Sequence, residues 1–195
     1  SAPTAADGTI TIDEDQVYAF CPCPFGFSDG DGDGFAALIV VTLPTAGTLT
    51  YDDGSGPVAV TAGQSISIAD ILSGFLLYTP APEQSGVGYD SFTFRVQDNG
   101  GTAGGGADTD PTVHTLTIDV NNVDDAPVAV PDSTSTDENT VVTFAVLAND
   151  TDVDGGTKAV AVIDGVSVVA GDTVTLASGA TVTLNADGTL SYDPN

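Results

Sequence analysis

Short stretches in which apolar and polar residues alternate one for one run through the whole chain, and they leave little choice of secondary structure. Thr9-Ile10-Thr11-Ile12, Ser65-Ile66-Ser67-Ile68, Phe92-Thr93-Phe94-Arg95-Val96 and Val113 to Val120 all follow this pattern. Successive side chains of an extended backbone point to opposite faces, so each stretch buries one face and wets the other. Ala36 to Val41 and Val141 to Leu147 are apolar throughout and rich in β-branched residues, which suits central strands covered on both faces. Turn formers interrupt these runs about every 8 to 12 residues, as at Asp52-Asp53-Gly54, Asp98-Asn99-Gly100-Gly101 and Ala186-Asp187-Gly188. This spacing predicts antiparallel β-sandwiches. Ile68 to Gly74 offers one short helical turn, and Gly101 to Asp110 is expected to be irregular.

The chain also repeats itself. Ala2-Pro3-Thr4-Ala5 returns as Ala126-Pro127-Val128-Ala129 and Asp13-Glu14 as Asp137-Glu138, both displaced by 124 residues. Asp29-Gly30-Asp31-Gly32-Asp33-Gly34 returns as Asp150-Thr151-Asp152-Val153-Asp154-Gly155, and Leu77-Tyr78-Thr79-Pro80 as Ser191-Tyr192-Asp193-Pro194. Two copies of one module are expected: residues 1–120, a linker at 121–127, and residues 128–195. The second copy stops at Asn195, whereas the first continues through two more strands, Asp90 to Gln97 and Val113 to Val120. A sandwich in that state has open edges and a half-covered core. The sequence therefore reads as a segment of a longer array, or as a chain whose missing strands a neighbour supplies.

Composition limits the partners. Lys158 and Arg95 stand against 28 acidic side chains, for a formal charge of −26. Phosphate recognition needs clustered Lys or Arg, which excludes nucleic acid and an anionic membrane surface as partners. No apolar run reaches the roughly 18 residues that span a bilayer, so direct membrane insertion is not expected, and no signal-peptide pattern opens the chain. An apolar fraction of 41% separates the chain from a disordered acidic tail. Asp outnumbers Glu 25 to 3, and the shorter carboxylate favours turns and oxygen-ligand loops. Almost none of this charge can be neutralised within the chain, and a divalent cation would relieve the repulsion. The alternative is a solvated acidic surface, and the positions of the Asp residues decide between them.

Asp-x-Asp-x-Asp-Gly occurs twice, at Asp29 to Gly34 and at Asp150 to Gly155. Alternating carboxylates before a Gly turn suit the oxygen shell of calcium. An EF-hand loop needs a Glu at its twelfth position, where Val40 and Ala161 stand. The EF-hand reading fails, so further ligands must come from elsewhere in the fold.

Asn121-Asn122-Val123-Asp124-Asp125-Ala126-Pro127 resembles the linker pattern Asp-x-Asn-Asp-Asn-Ala-Pro of cadherin-like repeats, with Val123 in place of one Asn. Ala148-Asn149-Asp150-Thr151-Asp152 resembles the Ala-x-Asp-x-Asp that follows it, and Phe92 to Asp98 the alternating strand that ends in Asp. Over nearly its whole length the chain is similar to the cadherin-like, VCBS-type tandem immunoglobulin-like repeats of large bacterial surface proteins and adhesins. The resemblance implies an all-β fold of tandem immunoglobulin-like sandwiches, the second incomplete, with Ca2+ at the module junction. Module one would contribute Glu14 and, as a stand-in for an absent motif Glu, Glu83. The linker would contribute Asn121, Asp124 and Asp125, and module two Asp150 and Asp152. Two half-sites follow: Asp29, Asp31 and Asp98 would face a preceding module, and Glu138 a following one. Asp33 and Asp154 are third carboxylates that ligate or turn the chain.

Other constellations carry less. Cys21-Pro22-Cys23 places two thiols too close in sequence for an unstrained bridge to each other. They are read as ordinary thiols, as a disulfide to a second chain, or as soft metal ligands with His114. His114 is expected at a surface or edge. Without a second His, a base for a nucleophile or a phosphate loop, no catalytic centre can be assembled, and an enzyme is not expected. The expected function is a calcium-rigidified structural module of an extracellular, secreted or cell-surface protein, with neighbouring copies of the module or chain as partners. The alternatives are a filament subunit completed by strand complementation, and an adhesin tip that holds a host or cell-surface carbohydrate or protein. Tyr89 beside Asp90 is the one hint of a tip, since the chain has no Trp.

Overall fold

A computed structural model describes Ser1–Asn195, and in it the chain forms two compact units, Ser1–Val123 and Asp124–Asn195. It is nearly all β, as the alternation predicts.

Unit 1 begins with β1 (Gly8–Asp13), β2 (Tyr18–Ala19) and β3 (Phe35–Thr42), followed by β4 (Thr48–Tyr51), β5 (Val58–Ala59) and β6 (Ser65–Ser67). One helical turn, α1 (Ile68–Leu72), leads into β7 (Leu76–Thr79), β8 (Gly86–Asp98) and β9 (His114–Asn121). Ser67 starts α1 because its hydroxyl accepts the Asp70 amide at 3.1 Å. The strands make two sheets, ordered β1-β9-β8-β3-β6 and β2-β7-β4-β5. All pairs are antiparallel except β1 with β9, which run parallel from Gly8 opposite Leu116 to Asp13 opposite Asn121. Alternation cannot foresee that pairing, since no hairpin ties strands so distant in sequence.

The alternating residues meet as the pattern requires. Phe92, Phe94 and Val96 of β8 and Leu116, Ile118 and Val120 of β9 are buried together with Leu38 and Val40 of β3. A 3-10 turn at Cys23–Phe25 carries Phe25 into this core, edge-on to Phe94 at 5.1 Å, while Phe20 lies edge-on to Phe92 at 5.7 Å. Aromatic edges against faces add to the burial of apolar area. His114 is neither surface nor edge. Its Nε2 lies 2.9 Å from Asp110 and its ring 5.9 Å from Phe94, because β9 is an inner strand of the sheet.

Asp90 joins the two sheets. It is buried, and its carboxylate accepts the amides of Thr45, Ala46, Gly47 and Ser91 at 2.7–3.2 Å and the Tyr78 hydroxyl at 2.8 Å. Gly47 is required there, since a Cβ would stand 2.3 Å from the Tyr78 hydroxyl. Burial opposes the charge, but the Gly47 and Thr45 amides and the Tyr78 hydroxyl outweigh it and hold the carboxyl below its ordinary range. Burial and the same hydrogen bond push the Tyr78 hydroxyl up. Asp90 is thus fully engaged inside the sandwich, and the hint of a ligand-holding Tyr89-Asp90 pair falls away.

Unit 2 contains β10 (Val142–Phe144), β11 (Val162–Ile163), β12 (Val166–Ser167), β13 (Thr173–Thr175), β14 (Thr181–Leu184) and β15 (Leu190–Asp193). One sheet runs β10-β15-β14-β13, and β11 pairs with β12 alone. The β10–β15 pair matches β2–β7 of unit 1, but nothing corresponds to β8 and β9. Val141 to Leu147 therefore does not form the central strand that its composition predicts. Only Val142–Phe144 is extended, at the sheet edge, and Val141 is 56% exposed, because no second sheet covers it.

Replacing Asp90 with Asn puts an amide among donors. Asp90→Asn is expected to lower the stability of unit 1 at neutral pH by about 2–4 kcal/mol, read from the denaturant midpoint. The folded carboxyl titrates below its unfolded value of about 3.9, so its contribution is complete above that value. It is lost as pH falls through the folded value, so wild type and variant should converge in acid.

Candidate metal centre

The loop after Ser28 is shaped by its own first carboxylate. Asp29 Oδ1 accepts the amides of Asp31 at 2.8 Å and Asp33 at 3.0 Å, which folds Asp29 to Asp33 into a tight arc. The Asp33 amide, followed by that of Asp31, holds the Asp29 carboxyl below its usual range. A second loop, leaving β8, is clamped to the first. Gly34 donates its amide to Asn99 Oδ1 at 2.9 Å, and Asn99 returns its own amide to the Gly34 carbonyl at 3.0 Å. Phe35 and Asp98 are paired across β3 and β8.

This clamp brings Asp29, Asp33 and Asp98 together, with one carboxylate oxygen from each within 4.8 Å of the others. Asp98 is buried, at 4% exposure. Its Oδ1 accepts the Gly100 amide at 2.9 Å, whereas its Oδ2 is buried without a hydrogen-bond partner. A buried carboxylate oxygen without a donor costs free energy, and two further carboxylates beside it add repulsion. Hard oxygen donors with surplus negative charge fit a divalent cation such as calcium. Gly100 keeps the cluster closed, because a Cβ there would lie 2.0 Å from an Asp33 carboxylate oxygen. The sequence marks Asn99 and Gly100 as turn formers and gives no sign of their part in closing this cluster. Asp31 is not part of this group.

The remaining predicted ligands of unit 1 lie at the opposite ends of its strands. Glu14 is buried and accepts the Val123 amide at 2.6 Å. Glu83 is exposed, with its amide 3.3 Å from Asp15 Oδ1. Asp15 was not among the expected ligands. Both Asp15 and Glu83 hold positive φ angles, +59° and +56°. Asn121 ends β9 and donates to Asp13 at 3.0 Å.

In unit 2, Asp124 is exposed and the Asp125 amide reaches Asp154 Oδ2 at 2.6 Å. Asp150 accepts the Val130 amide at 2.8 Å, and Asp152 accepts those of Asp154 and Gly156 at 3.0 and 3.1 Å. This geometry shifts the register of the repeat. Thr4 bridges Ser28 in unit 1 as Val128 bridges Thr151 in unit 2. Asp29 and Asp152 each follow the bridge and each bind the amides two and four residues on. Asp29 thus corresponds to Asp152, not to Asp150, and Asp33 to Gly156. Matching Asp with Asp in the sequence slips the alignment by two, since the motif is itself a repeat of two. The arc from Asp152 to Gly156 thus holds two carboxylates where the arc from Asp29 to Asp33 holds three. Glu138 is exposed in a turn, whereas its counterpart Glu14 is buried.

Residues 1–121 match the family model described as a bacterial Ig domain, and residues 124–195 the one described as a bacterial cadherin-like domain. No curated protein and no solved structure matches the chain. No helix is long and apolar enough to cross a membrane. With the sandwich of unit 1, the related strands of unit 2 and both matches in register with the two units, the chain belongs to the bacterial Ig domain family, followed by a cadherin-like domain, as tandem repeats of bacterial surface proteins do.

Proposed function

We propose that this chain is a calcium-rigidified spacer of an extracellular bacterial surface adhesin or fibre. The observation that carries the reading is Asp98, buried beside Asp29 and Asp33 with one carboxylate oxygen lacking a donor. Bacterial Ig and cadherin-like domains are structural and adhesive modules and generally not enzymes, and cadherin-like domains commonly bind Ca2+. Both support the reading. Asp29, Asp33 and Asp98 would hold calcium at one end of unit 1. The junction residues Glu14, Glu83, Asn121, Asp124, Asp125, Asp150, Asp152 and Asp154 form a second group. Its support is the linker resemblance and, within each unit, the approach of Glu83 to Asp15 and of Asp125 to Asp154. Without metal the junction carboxylates repel and the linker swings, and with calcium it stiffens. Extracellular calcium modules work at a Kd of roughly 10⁻⁴–10⁻³ M, which fills them outside the cell and leaves them empty inside.

Calcium at about 5 mM should stabilise the chain over chelator by about 1–2 kcal/mol per site. Scattering should show a longer, straighter particle. Asp124→Asn with Asp152→Asn should abolish the straightening, and unchanged scattering in calcium would sink the rod reading. Asp98→Asn has two expected signs. It should raise the melting temperature in chelator, where it removes a repelled charge, and remove the calcium response of unit 1. A variant that melts lower in chelator yet keeps the response contradicts the assignment. Gly100→Ala should weaken calcium binding without the first effect, because it displaces Asp33, and titration calorimetry reads it.

One observation favours a second reading, strand complementation. Phe144, Ile163, Val182, Leu190 and Tyr192 line an open groove of about 580 Å³ on unit 2. In unit 1 the matching face is covered by β8 and β9. A synthetic peptide of the sequence Asp90 to Asp98 should then raise the melting temperature of the chain, and a peptide with Ser for Phe92 and Phe94 should not. Equal behaviour of the two peptides excludes a strand-specific groove.

A further inference from the structure

Cys21-Pro22-Cys23 follows β2 and opens the 3-10 turn that carries Phe25 into the core. Pro22 has φ −67° and ψ −18°, in the right-handed helical region, and no peptide bond in the chain is cis. The φ and ψ of the middle residue alone set the distance between Cα atoms two apart. For a helical residue that distance is about 5.4 Å, from the helix radius, rotation and rise. Disulfides span Cα separations of roughly 4.4–6.8 Å. The helical conformation of Pro22 thus places the pair within that range, while the one-residue spacing leaves a bridge between them strained, as expected. The neighbouring Cys21 side chain holds the Cys23 thiol above its ordinary pKa.

Access differs between them. Cys23 is exposed and Cys21 half-buried. Cys23 stands at the rim of a depression of about 550 Å³ lined by Pro22, Gly26, Leu72 and the stacked rings of Phe27 and Phe35, 4.9 Å apart. No carboxylate lines it, on a chain of formal charge −26. An uncharged reagent can therefore approach Cys23 without crossing a local cluster of negative charge.

We propose that Cys21 and Cys23 form a thiol–disulfide exchange site that closes reversibly to an intramolecular disulfide, with small uncharged organic disulfides as oxidant. The Cys23 thiolate attacks one sulfur of R–S–S–R and expels one thiolate, leaving a mixed disulfide. Cys21 then gives its proton to water and attacks the Cys23 sulfur, expelling the second thiolate. Two protein thiols are oxidised and one external disulfide is reduced to two thiols. Because the helical Pro22 holds Cys21 and Cys23 at a Cα separation within disulfide range, the second step is intramolecular and outruns attack by another chain. A bridge across one residue is strained, and strained bridges are the easily reduced ones, so the pair exchanges with its surroundings instead of serving as a permanent staple. Closure also removes Cys23 from cross-linking to a second chain. This site is independent of the calcium reading.

The test equilibrates the reduced full chain in buffers of rising hydroxyethyl disulfide to mercaptoethanol ratio, quenches with an alkylating agent and weighs the products. The expected product is a monomer lighter by two hydrogens that takes no alkyl group and returns to the dithiol on adding mercaptoethanol. Cys21→Ser and Cys23→Ser should each stop at the mixed disulfide or at a covalent dimer. Wild type that accumulates the mixed disulfide, forms a covalent dimer, or keeps both thiols open to alkylation in the most oxidising buffer overturns the proposal. The wild-type masses decide by themselves should either variant fail to fold.

Discussion

Twenty-eight carboxylates share this chain with two basic side chains, so a buried acid must find its compensation in the backbone. Asp90 takes four amides and a hydroxyl, Glu14 takes the amide of Val123, and Asp110 takes the amides of Ala5 and Thr112 together with His114. Amide dipoles are fixed once the strands pair, and they solvate a charge without adding a counter-charge of their own. Neither Lys158 nor Arg95 is spent on such a pair. Lys158 donates to the Asp150 carbonyl, and Arg95 Nε is buried without a partner. Asp98 is the exception among the buried acids, since one of its oxygens finds no donor, and this exception marks the candidate metal centre.

The same rule separates the two units. Amides that satisfy acids in unit 1 come from segments made possible by β8 and β9. Thr45, Ala46 and Gly47 meet Asp90 because β8 carries it inward, and Val123 meets Glu14 because β9 delivers the chain to that end. Unit 2 has the aspartate arc, the bridge from Val128 to Thr151 and the four-stranded sheet, but not these two strands. Most of its acids lie in loops and turns, and its core of Ile163, Val168, Val174, Val182 and Leu184 is smaller. The candidate site of unit 1 thus extends beyond the motif, because it includes Asp98 from a distant strand.

Strand chemistry was legible from the residues. Alternation in β1, β8 and β9 and the apolar run of β3 reflect a constraint that acts locally: side chains of an extended backbone must divide between core and water. The helical turn at Ile68–Leu72 and the irregular stretch after Gly100 are local in the same sense. The apolar run from Val141 misled because composition reports that a segment prefers burial, not that a second sheet is present to bury it. His114 misled likewise, since its neighbours on the strand say nothing of Asp110, which approaches through a loop.

For the candidate centre, the chain by itself determined the aspartate arc. Asp29-Gly30-Asp31-Gly32-Asp33-Gly34 encodes a turn whose first side chain binds its own following amides, a contact over two and four residues. Which aspartates then converge was decided only by tertiary structure. Asp98 is 65 residues from Asp33 along the chain, and it joins the arc because β3 and β8 pair in one register, with Gly34 and Asn99 clamping their ends. The fate of the two cysteines was decided in the same way. Spacing alone marked a bridge between the thiols as strained, and the helical φ and ψ of Pro22, in the turn that seats Phe25 in the core, set their Cα atoms within disulfide range.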